Sequence, residues 1–250
     1  RAKIKNLSMD LIYGLPGQTQ ERWMENLAAA VELNPEHLSC YGLKVEEGTP
    51  LFAVKDTANL PGDEEQADMY LQTVEFLKQY GYEQYEISNF AKPGYASRHN
   101  LKYWRLQEYA GFGPGAHSDF GGVRYAYEKD LEAYIAAAHG GQFQFSENTA
   151  IPPRERDAEW LMLGSRTVYG LDPKDYETRF RRRFDPIFLP FLQRCAAAGY
   201  AVEEDGRWHL TPRGFLVSNQ IIGGLLDAQA AEKRRRADAA ARGDFRGNLD

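Results

Sequence analysis

The segment at residues 97–104, Ser-Arg-His-Asn-Leu-Lys-Tyr-Trp, carries the side chains best suited to binding chemistry. His99 and Tyr103 are four residues apart, so one helical turn would place both on the same side. A neutral imidazole is a common axial ligand of haem iron, and Tyr103 and Trp104 could stack on a flat macrocycle. The alternative is a loop anchor, in which His99 and Asn100 bond backbone groups while the aromatic rings fill the core. Composition alone favours the anchor.

Three further residues could face a polar ligand. Asp10 is predicted at the carboxyl end of a parallel strand, where α/β sheets and barrels bind ligands, and its carboxylate could accept hydrogen bonds from a ribose or an amine. Lys44 follows the second predicted strand at the equivalent edge. His117 comes after the glycine-rich run at residues 111–115, where the backbone could approach a ligand closely. The structural alternatives are that Asp10 caps a turn, that Lys44 is a solvated lysine and that the glycine-rich run is a tight crossing of the chain.

The two cysteines, Cys40 and Cys195, belong to no CxxC, CxxCH or CxxxCxxC motif. The sequence therefore shows no zinc site, no covalent haem attachment and no complete set of iron–sulfur ligands. So few cysteines also exclude a disulfide framework, and a reducing cytoplasm is the expected location.

The overall composition is that of a globular protein. The chain has 250 residues, of which 43% are hydrophobic, and a formal net charge of −6. This composition excludes a disordered chain, and the acidic balance argues against a general nucleic-acid binder. No apolar run reaches the roughly 18 residues of a membrane span. Because a buried strand is predicted within a few residues of Arg1, we expect an amino-terminal part of the protein to be missing.

The first half of the sequence predicts a βαβ unit. Strands are expected at residues 7–12 and 37–43, with a helix capped by Thr19 between them. A longer helix at residues 63–79 and a third strand at residues 82–88 follow. The next segment, at residues 89–120, is rich in glycine, histidine and aromatic residues and is expected to be a loop.

The second half predicts a mainly helical, winged-helix-like domain. Helices are expected at residues 156–167, 173–182 and 186–198, followed by a hairpin at Asp205-Gly206 and a last helix from Thr211-Pro212 to about residue 226. The basic run at residues 181–183 could contact DNA, but the net charge favours a solvated helix end. We therefore divide the chain into barrel-like residues 1–60, an extension at residues 61–150 with the His/aromatic/Gly-rich loop, the domain at residues 151–228 and a charged tail at residues 229–250, of which residues 231–250 are expected to fray.

Several strings together resemble a known family. They are DLIYGLPGQT (10–19), PEHLSCY (35–41), EGTP (47–50), GYEQYEISNFA (81–91) and RHNLKYW (98–104). The chain is similar, to about residue 226, to the coproporphyrinogen-oxidase-like radical S-adenosylmethionine (SAM) proteins, and most similar to their HemW-type haem chaperones. The motif His99-Asn100-x-x-Tyr103-Trp104 is the most specific part, because the true oxygen-independent coproporphyrinogen oxidases lack it.

The resemblance implies an α/β fold: the carboxy-terminal portion of a partial (β/α)6 radical SAM barrel, followed by the winged-helix-like domain. Residues 7–12 and 37–43 would be the last two barrel strands. The family's CxxxCxxC loop, which holds a [4Fe–4S] cluster, and its glycine-rich SAM motif do not occur in this sequence. We therefore expect that this chain by itself makes no 5′-deoxyadenosyl radical.

The resemblance also assigns residues. Asp10, Lys44 and His117 match positions on the SAM side of the family's site. His99, Asn100, Tyr103 and Trp104 match the segment proposed for haem in the chaperones, with His99 as the candidate ligand of the haem iron.

The leading functional hypothesis is a haem-binding chaperone that delivers haem to a haem-requiring protein. One alternative is an oxygen-independent coproporphyrinogen III oxidase, which would decarboxylate a porphyrin precursor by radical chemistry. The other is a winged-helix module that binds nucleic acid, which the net charge disfavours. The expected partners are haem and a haem-accepting protein, with peripheral membrane contact only through that acceptor. The exposed edge of the strand at residues 7–12 also predicts dimerisation or aggregation.

Overall fold

The computed structural model describes residues 4–242, which contain two sheets, a hairpin and ten α-helices. The first sheet has the strand order β1-β2-β4-β3. Its elements are β1 (Ser8–Tyr13), α1 (Gln20–Glu32), β2 (His37–Gly42), α2 (Pro50–Ala53), α3 (Asp63–Gln79), β3 (Glu83–Glu86) and β4 (Asn89–Ala91). Strands β1 and β2 are parallel and α1 connects them, which confirms the predicted βαβ unit.

One face of this sheet is covered by α1 and α3. Leu38 and Phe90 point from the sheet into a core that also contains Trp23, Leu27 and Leu77, all nearly inaccessible to solvent. The amphipathic spacing of the two helices supplies this apolar layer. The only polar group of Trp23, its Nε1–H, donates a hydrogen bond of 2.8 Å to Thr73 Oγ1.

The strand predicted at residues 82–88 is present as β3, but it is shorter than predicted because the chain turns after Glu86 to form the β3–β4 hairpin. The register shifts between Gln84 and Glu86, which is a β-bulge. Glu86 then stabilises the turn, because its Oε1 accepts a hydrogen bond of 3.1 Å from Ser88 N. Regular alternation in sequence cannot reveal such a bulge, since the extra residue changes the face to which later side chains point.

The segment predicted as a loop at residues 89–120 contains regular structure. It includes β4, the helix α4 (Arg98–Trp104) and the strand β5 (His117–Phe120). Strand β5 pairs with β6 (Val123–Tyr127), which pairs with β7 (Phe145–Ala150), and α5 (Leu131–Gly140) connects β6 to β7. These short elements are hard to predict from periodicity because each spans at most about three periods of its pattern.

The carboxy-terminal region has the predicted helices and hairpin. Its elements are α6 (Asp157–Gly164), α7 (Pro173–Phe180), α8 (Asp185–Ala197), β8 (Ala201–Glu204), β9 (Arg207–Leu210), α9 (Pro212–Leu216) and α10 (Ser218–Ala241). Asp205 and Gly206 both have positive φ, at 50° and 72°, as a two-residue hairpin turn requires. Trp160, Tyr176, Phe184 and Phe188 form the aromatic centre of this region.

The last helix begins at Thr211-Pro212 as predicted, but it is interrupted and extends further than predicted. The chain breaks at Val217, so α9 and α10 are separate helices, and α10 runs beyond residue 226. Residues 231–241, predicted to fray, are the last turns of α10. Lys233 Nζ there lies 3.1 Å from the fully buried carboxylate of Asp157 on α6, so this part of α10 contacts α6. The rest of the predicted tail, residues 243–250, lies outside the described residues.

None of the helices within residues 4–242 is long and apolar enough to cross a membrane. Strand β1 pairs only with β2 in the described part of the chain, so it forms an edge of its sheet, as predicted. Dimerisation through that edge and the division into four segments stay predictions.

Candidate functional site

A row of polar side chains crosses the face of the first sheet that α1 and α3 leave uncovered. Asp10 pairs in register with Ser39, Ser39 with Asn89, and Asn89 with Glu86. Residues paired in register point to the same face of a sheet, so the four side chains form one line across four strands. Asp10 is exposed, whereas the other three are buried. Asp10 also lies in the middle of β1 rather than at its carboxyl end, because the strand continues to Tyr13.

A hydrogen-bonded chain runs beside this row. Ser8 Oγ and His37 Nδ1 are 2.9 Å apart, and His37 Nε2 is 2.8 Å from Tyr85 Oη. Burial lowers the pKa of His37 and raises the pKa of Tyr85 to about 12. Both groups are therefore neutral near pH 7. The hydrogen bonds through His37 connect β1 to β3.

Helix α4 carries the histidine–aromatic motif. Ser97 caps it, with Oγ accepting a hydrogen bond of 3.2 Å from Asn100 N, and Leu101 packs against Tyr85 and Ala91 on the sheet. The cap and this contact hold a helix of only seven residues in place.

The motif places His99 and Tyr103 on the same side of α4, as predicted. Tyr103 Oη and His99 Nε2 are 3.0 Å apart, and the two rings meet edge to face. Both side chains are exposed, and Tyr103 also contacts the ring of Tyr109. In the described structure His99 thus pairs with a side chain at the surface rather than with the backbone, which leaves its ring within reach of a ligand.

The other residues of the motif face a cleft. Asn100, Tyr103 and Trp104 line a cavity of about 330 Å³, together with Tyr41 and the four residues 86–89 of the β3–β4 turn. Tyr103 therefore contacts both His99 and this cleft. We call it the α4 cleft.

Glu86 and Asn89 form the polar wall of the α4 cleft. They are only 2% and 5% exposed, and Glu86 Oε1 accepts hydrogen bonds from Ser88 N and Asn89 Nδ2. Burial raises the pKa of Glu86, because water no longer solvates its charged form. Asn89 Oδ1 has no hydrogen-bond partner in the described structure. Sequence reasoning missed both residues as site residues, although they lie in the string EISN that supported the family resemblance.

The three residues expected on the SAM side lie on separate segments. Asp10 is on the open face of the first sheet, and Lys44 lies beyond β2 in solvent, 2.7 Å from Glu46. His117 begins β5 in the second sheet, with Nδ1 3.7 Å from Glu147. No hydrogen bond or ion pair between residues 4 and 242 joins any two of the three. A common site for them stays a prediction.

The residues of this chain do not fit an iron–sulfur cluster. Cys40 and Cys195 are both buried, and burial raises the pKa of Cys40 to about 12, so its thiol stays protonated. Within the described residues, no group of three or more His, Cys, Asp or Glu side chains could hold a metal ion. The exposed carboxylate of Asp10 could hold the ammonium of S-adenosylmethionine.

Comparison with known proteins shows related sequences over most of the chain. Residues 151–217 match the family model of the HemN C-terminal domain. The chain is 34% identical over 224 residues to the heme chaperone HemW of Bacillus subtilis, which covers 89% of this chain and 59% of that protein. It is 32% identical over 222 residues to the heme chaperone HemW of Escherichia coli, with 88% and 57% covered. The chain thus spans less than two thirds of the length of these curated relatives.

A solved structure shows the same fold. The chain superimposes with a TM-score of 0.66 on the structure described as "Coproporphyrinogen III oxidase (HemN) from Escherichia coli is a Radical SAM enzyme", at 23% identity, covering 87% of this chain and 54% of that one. This similarity supports the predicted fold, part of a radical SAM barrel followed by a mainly helical domain. At this level of identity it shows the fold alone.

Proposed function

Because this chain belongs to the HemW-like radical SAM proteins, we propose that it acts as a haem chaperone, with α4 as its haem-binding surface. The observation that carries the proposal is the exposed His99–Tyr103 pair on a capped helix, beside Trp104 and the α4 cleft. In this proposal His99 binds the haem iron, while Tyr103 and Trp104 contact the macrocycle. The partners are haem and a haem-accepting protein, with membrane contact only through that acceptor.

The His99–Tyr103 hydrogen bond suits a carrier that must also release its cargo. An exposed imidazole can bind iron without the cost of desolvating a charge, since the neutral ring is the ligand form. When haem leaves, Tyr103 Oη takes up the hydrogen bond of His99 Nε2 again. His99 therefore has a partner in both states, the iron when haem is bound and Tyr103 when it is not. Haem release thus leaves Nε2 paired with Tyr103 Oη, which favours reversible binding.

A haem titration of the chain, followed by the Soret absorbance, tests this proposal. We expect a saturable Soret change that is lost in His99→Ala and retained in His117→Ala, which examines the other candidate ligand. His139→Ala is the matched control, because His139 is an exposed histidine in the last turn of α5.

Circular dichroism first confirms that all the variants are folded. The absence of a Soret change in the folded wild-type chain, or full haem binding by folded His99→Ala, would refute the assignment of haem to α4.

A further inference from the structure

We propose that the α4 cleft is a binding site for a cation with N–H donors, an ammonium or a guanidinium group. The cleft lies between the β3–β4 turn and α4 and has a volume of about 330 Å³. That volume is at the lower end of the range for small-molecule sites. Glu86 and Asn89, which would bind the cation, are not among the residues proposed to bind haem, so the two sites can be tested independently.

The α4 cleft contains a hydrogen-bond acceptor, Asn89 Oδ1, that lacks a donor in the described structure. Asn89 is 95% buried, and its Oδ1 has no hydrogen-bond partner among the described residues, although the side chain lines the cleft. Leaving a buried acceptor unpaired costs roughly 1–3 kcal/mol. A ligand N–H in the cleft would supply the missing donor.

The cleft also contains the buried carboxylate of Glu86, which has no counter-ion among the described residues. Glu86 lines the same cleft and forms no ion pair within residues 4–242, and its hydrogen-bond donors are all neutral, namely backbone N–H groups of the turn and the amide of Asn89. Buried carboxylates are ordinarily paired with a cation. Its raised pKa is the result expected when burial removes water and no positive charge replaces it.

The remaining cleft residues also suit a cation, because several of them are aromatic. Tyr41, Tyr103 and Trp104 contribute aromatic rings, and no lysine or arginine is among the cleft residues that the structure describes. Cations bind favourably over aromatic faces, most strongly over tryptophan. An anion would instead meet the Glu86 carboxylate and the lone pairs of Asn89. Charge, hydrogen bonding and aromatic lining thus all select the same class of ligand.

Two sources could supply such a group: an arginine or lysine side chain of a partner protein, or a free amine such as S-adenosylmethionine. Three probes separate them, namely N-acetylarginine amide, N-acetyllysine amide and S-adenosylmethionine, each titrated without haem. N-acetylglutamine amide is the neutral control. Trp104 reports binding through its fluorescence, because Trp23, Trp160 and Trp208 are buried elsewhere. Trp104→Phe identifies the signal, and isothermal calorimetry gives the affinity.

We expect a saturable fluorescence change with at least one cation and none with the neutral amide. Affinity should fall at least tenfold in Glu86→Gln and in Asn89→Ala. Glu83→Gln is the matched control, because Glu83 is an exposed carboxylate on the same strand, β3, and this change should leave affinity unaltered.

The response pattern identifies the source, since either the side-chain analogues or S-adenosylmethionine alone would support the proposal. A wild-type chain that responds to none of the three cations, or responds equally to the neutral amide, overturns it. So does unchanged affinity in folded Glu86→Gln and Asn89→Ala. If circular dichroism shows that one variant is unfolded, the other decides.

Discussion

Glu86 shows how one residue at the site differs from an ordinary surface carboxylate. Its side chain is buried beside Asn89, and the hydrogen bonds to Oε1 only partly replace the water that it loses. Residues of this kind lower the stability of the folded state while they prepare it to bind a ligand. The free-energy cost of burying the Glu86 carboxylate can be measured.

We predict that Glu86→Gln stabilises the chain at neutral pH. The pKa of Glu86 is raised above its ordinary 4.5, so the unfolded chain releases this proton first as the pH rises. Stability is therefore lost as the pH climbs from about 4.5 through the folded-state pKa. A glutamine keeps the Oε1 acceptor without the charge, so we expect a gain of about 1 kcal/mol at pH 7.5, the usual size of a single-residue effect.

Urea denaturation near pH 4 and at pH 7.5 measures this difference, which should nearly vanish at the lower pH. Glu83→Gln, on the exposed part of β3, should show no such dependence. A Glu86→Gln variant that is less stable than wild type at pH 7.5 would contradict the prediction.

Helix α4 is the element on which the proposed haem surface depends. Seven residues form too short a helix to be stable alone in water, so its stability comes from the Ser97 cap and from Leu101 packed on the sheet. A helix this short also leaves no clear apolar period in the sequence. The motif spacing predicted the relation between His99 and Tyr103, but not that a helix was present.

We predict that Ser97→Ala weakens haem binding. Loss of a side-chain cap costs about 1 kcal/mol of stability, and in α4 that cost falls on the helix that carries His99. We expect a several-fold loss in haem affinity by Soret titration, with faster amide exchange in residues 98–104. Thr19→Ala removes the equivalent cap of α1, where Thr19 accepts from Arg22 N, and should lower stability without changing haem affinity. Equal haem affinity in Ser97→Ala and wild type would contradict the role of the cap.

In the whole molecule, the carboxy-terminal region is hydrogen-bonded to the β3–β4 hairpin, which forms part of the candidate site. Ile87 N donates to Arg166 O at 3.1 Å, and Val168 N donates to Tyr85 O at 3.2 Å. These bonds attach the β3–β4 turn, one wall of the α4 cleft, to the segment after α6. A second connection joins the other sheet to α6, because Asp119 on β5 forms a two-bond ion pair with Arg156.

We predict that Asp119→Asn lowers stability by about 2 kcal/mol at pH 7, since hydrogen bonds to charged groups contribute roughly 1.5–3 kcal/mol. The guanidinium of Arg156, and then that of Arg124, holds the pKa of Asp119 below its ordinary 3.8. The contribution is therefore present above about pH 4 and is lost as the pH falls through the folded-state pKa.

Thermal unfolding of Asp119→Asn and wild type at several pH values tests this sign. Arg235→Gln, which removes an exposed pair with Glu232, is the control and should leave stability nearly unchanged at every pH. A destabilisation by Asp119→Asn that grows as the pH falls below 4 would refute the explanation.

Features that depend on neighbouring residues were predictable from the sequence. The βαβ unit, the helices after residue 156 and the Asp205-Gly206 hairpin follow from local periodicity, caps and turn residues, and the structure confirms them. Five short strings, of which the motif at residues 98–104 is the most specific, indicated the family. Local signals suffice here because each element is stabilised first by contacts within a few residues of itself.

Which distant residues share a site depends on how the elements pack against one another. The row that joins Asp10, Ser39, Asn89 and Glu86 exists because three strand pairings have one particular register, and the bulge in β3 sets the last of them. Strand register is a non-local property, since a shift of one residue would turn every side chain to the opposite face. The α4 cleft likewise forms where α4, β2 and the β3–β4 turn meet, and no spacing within any one segment encodes that contact.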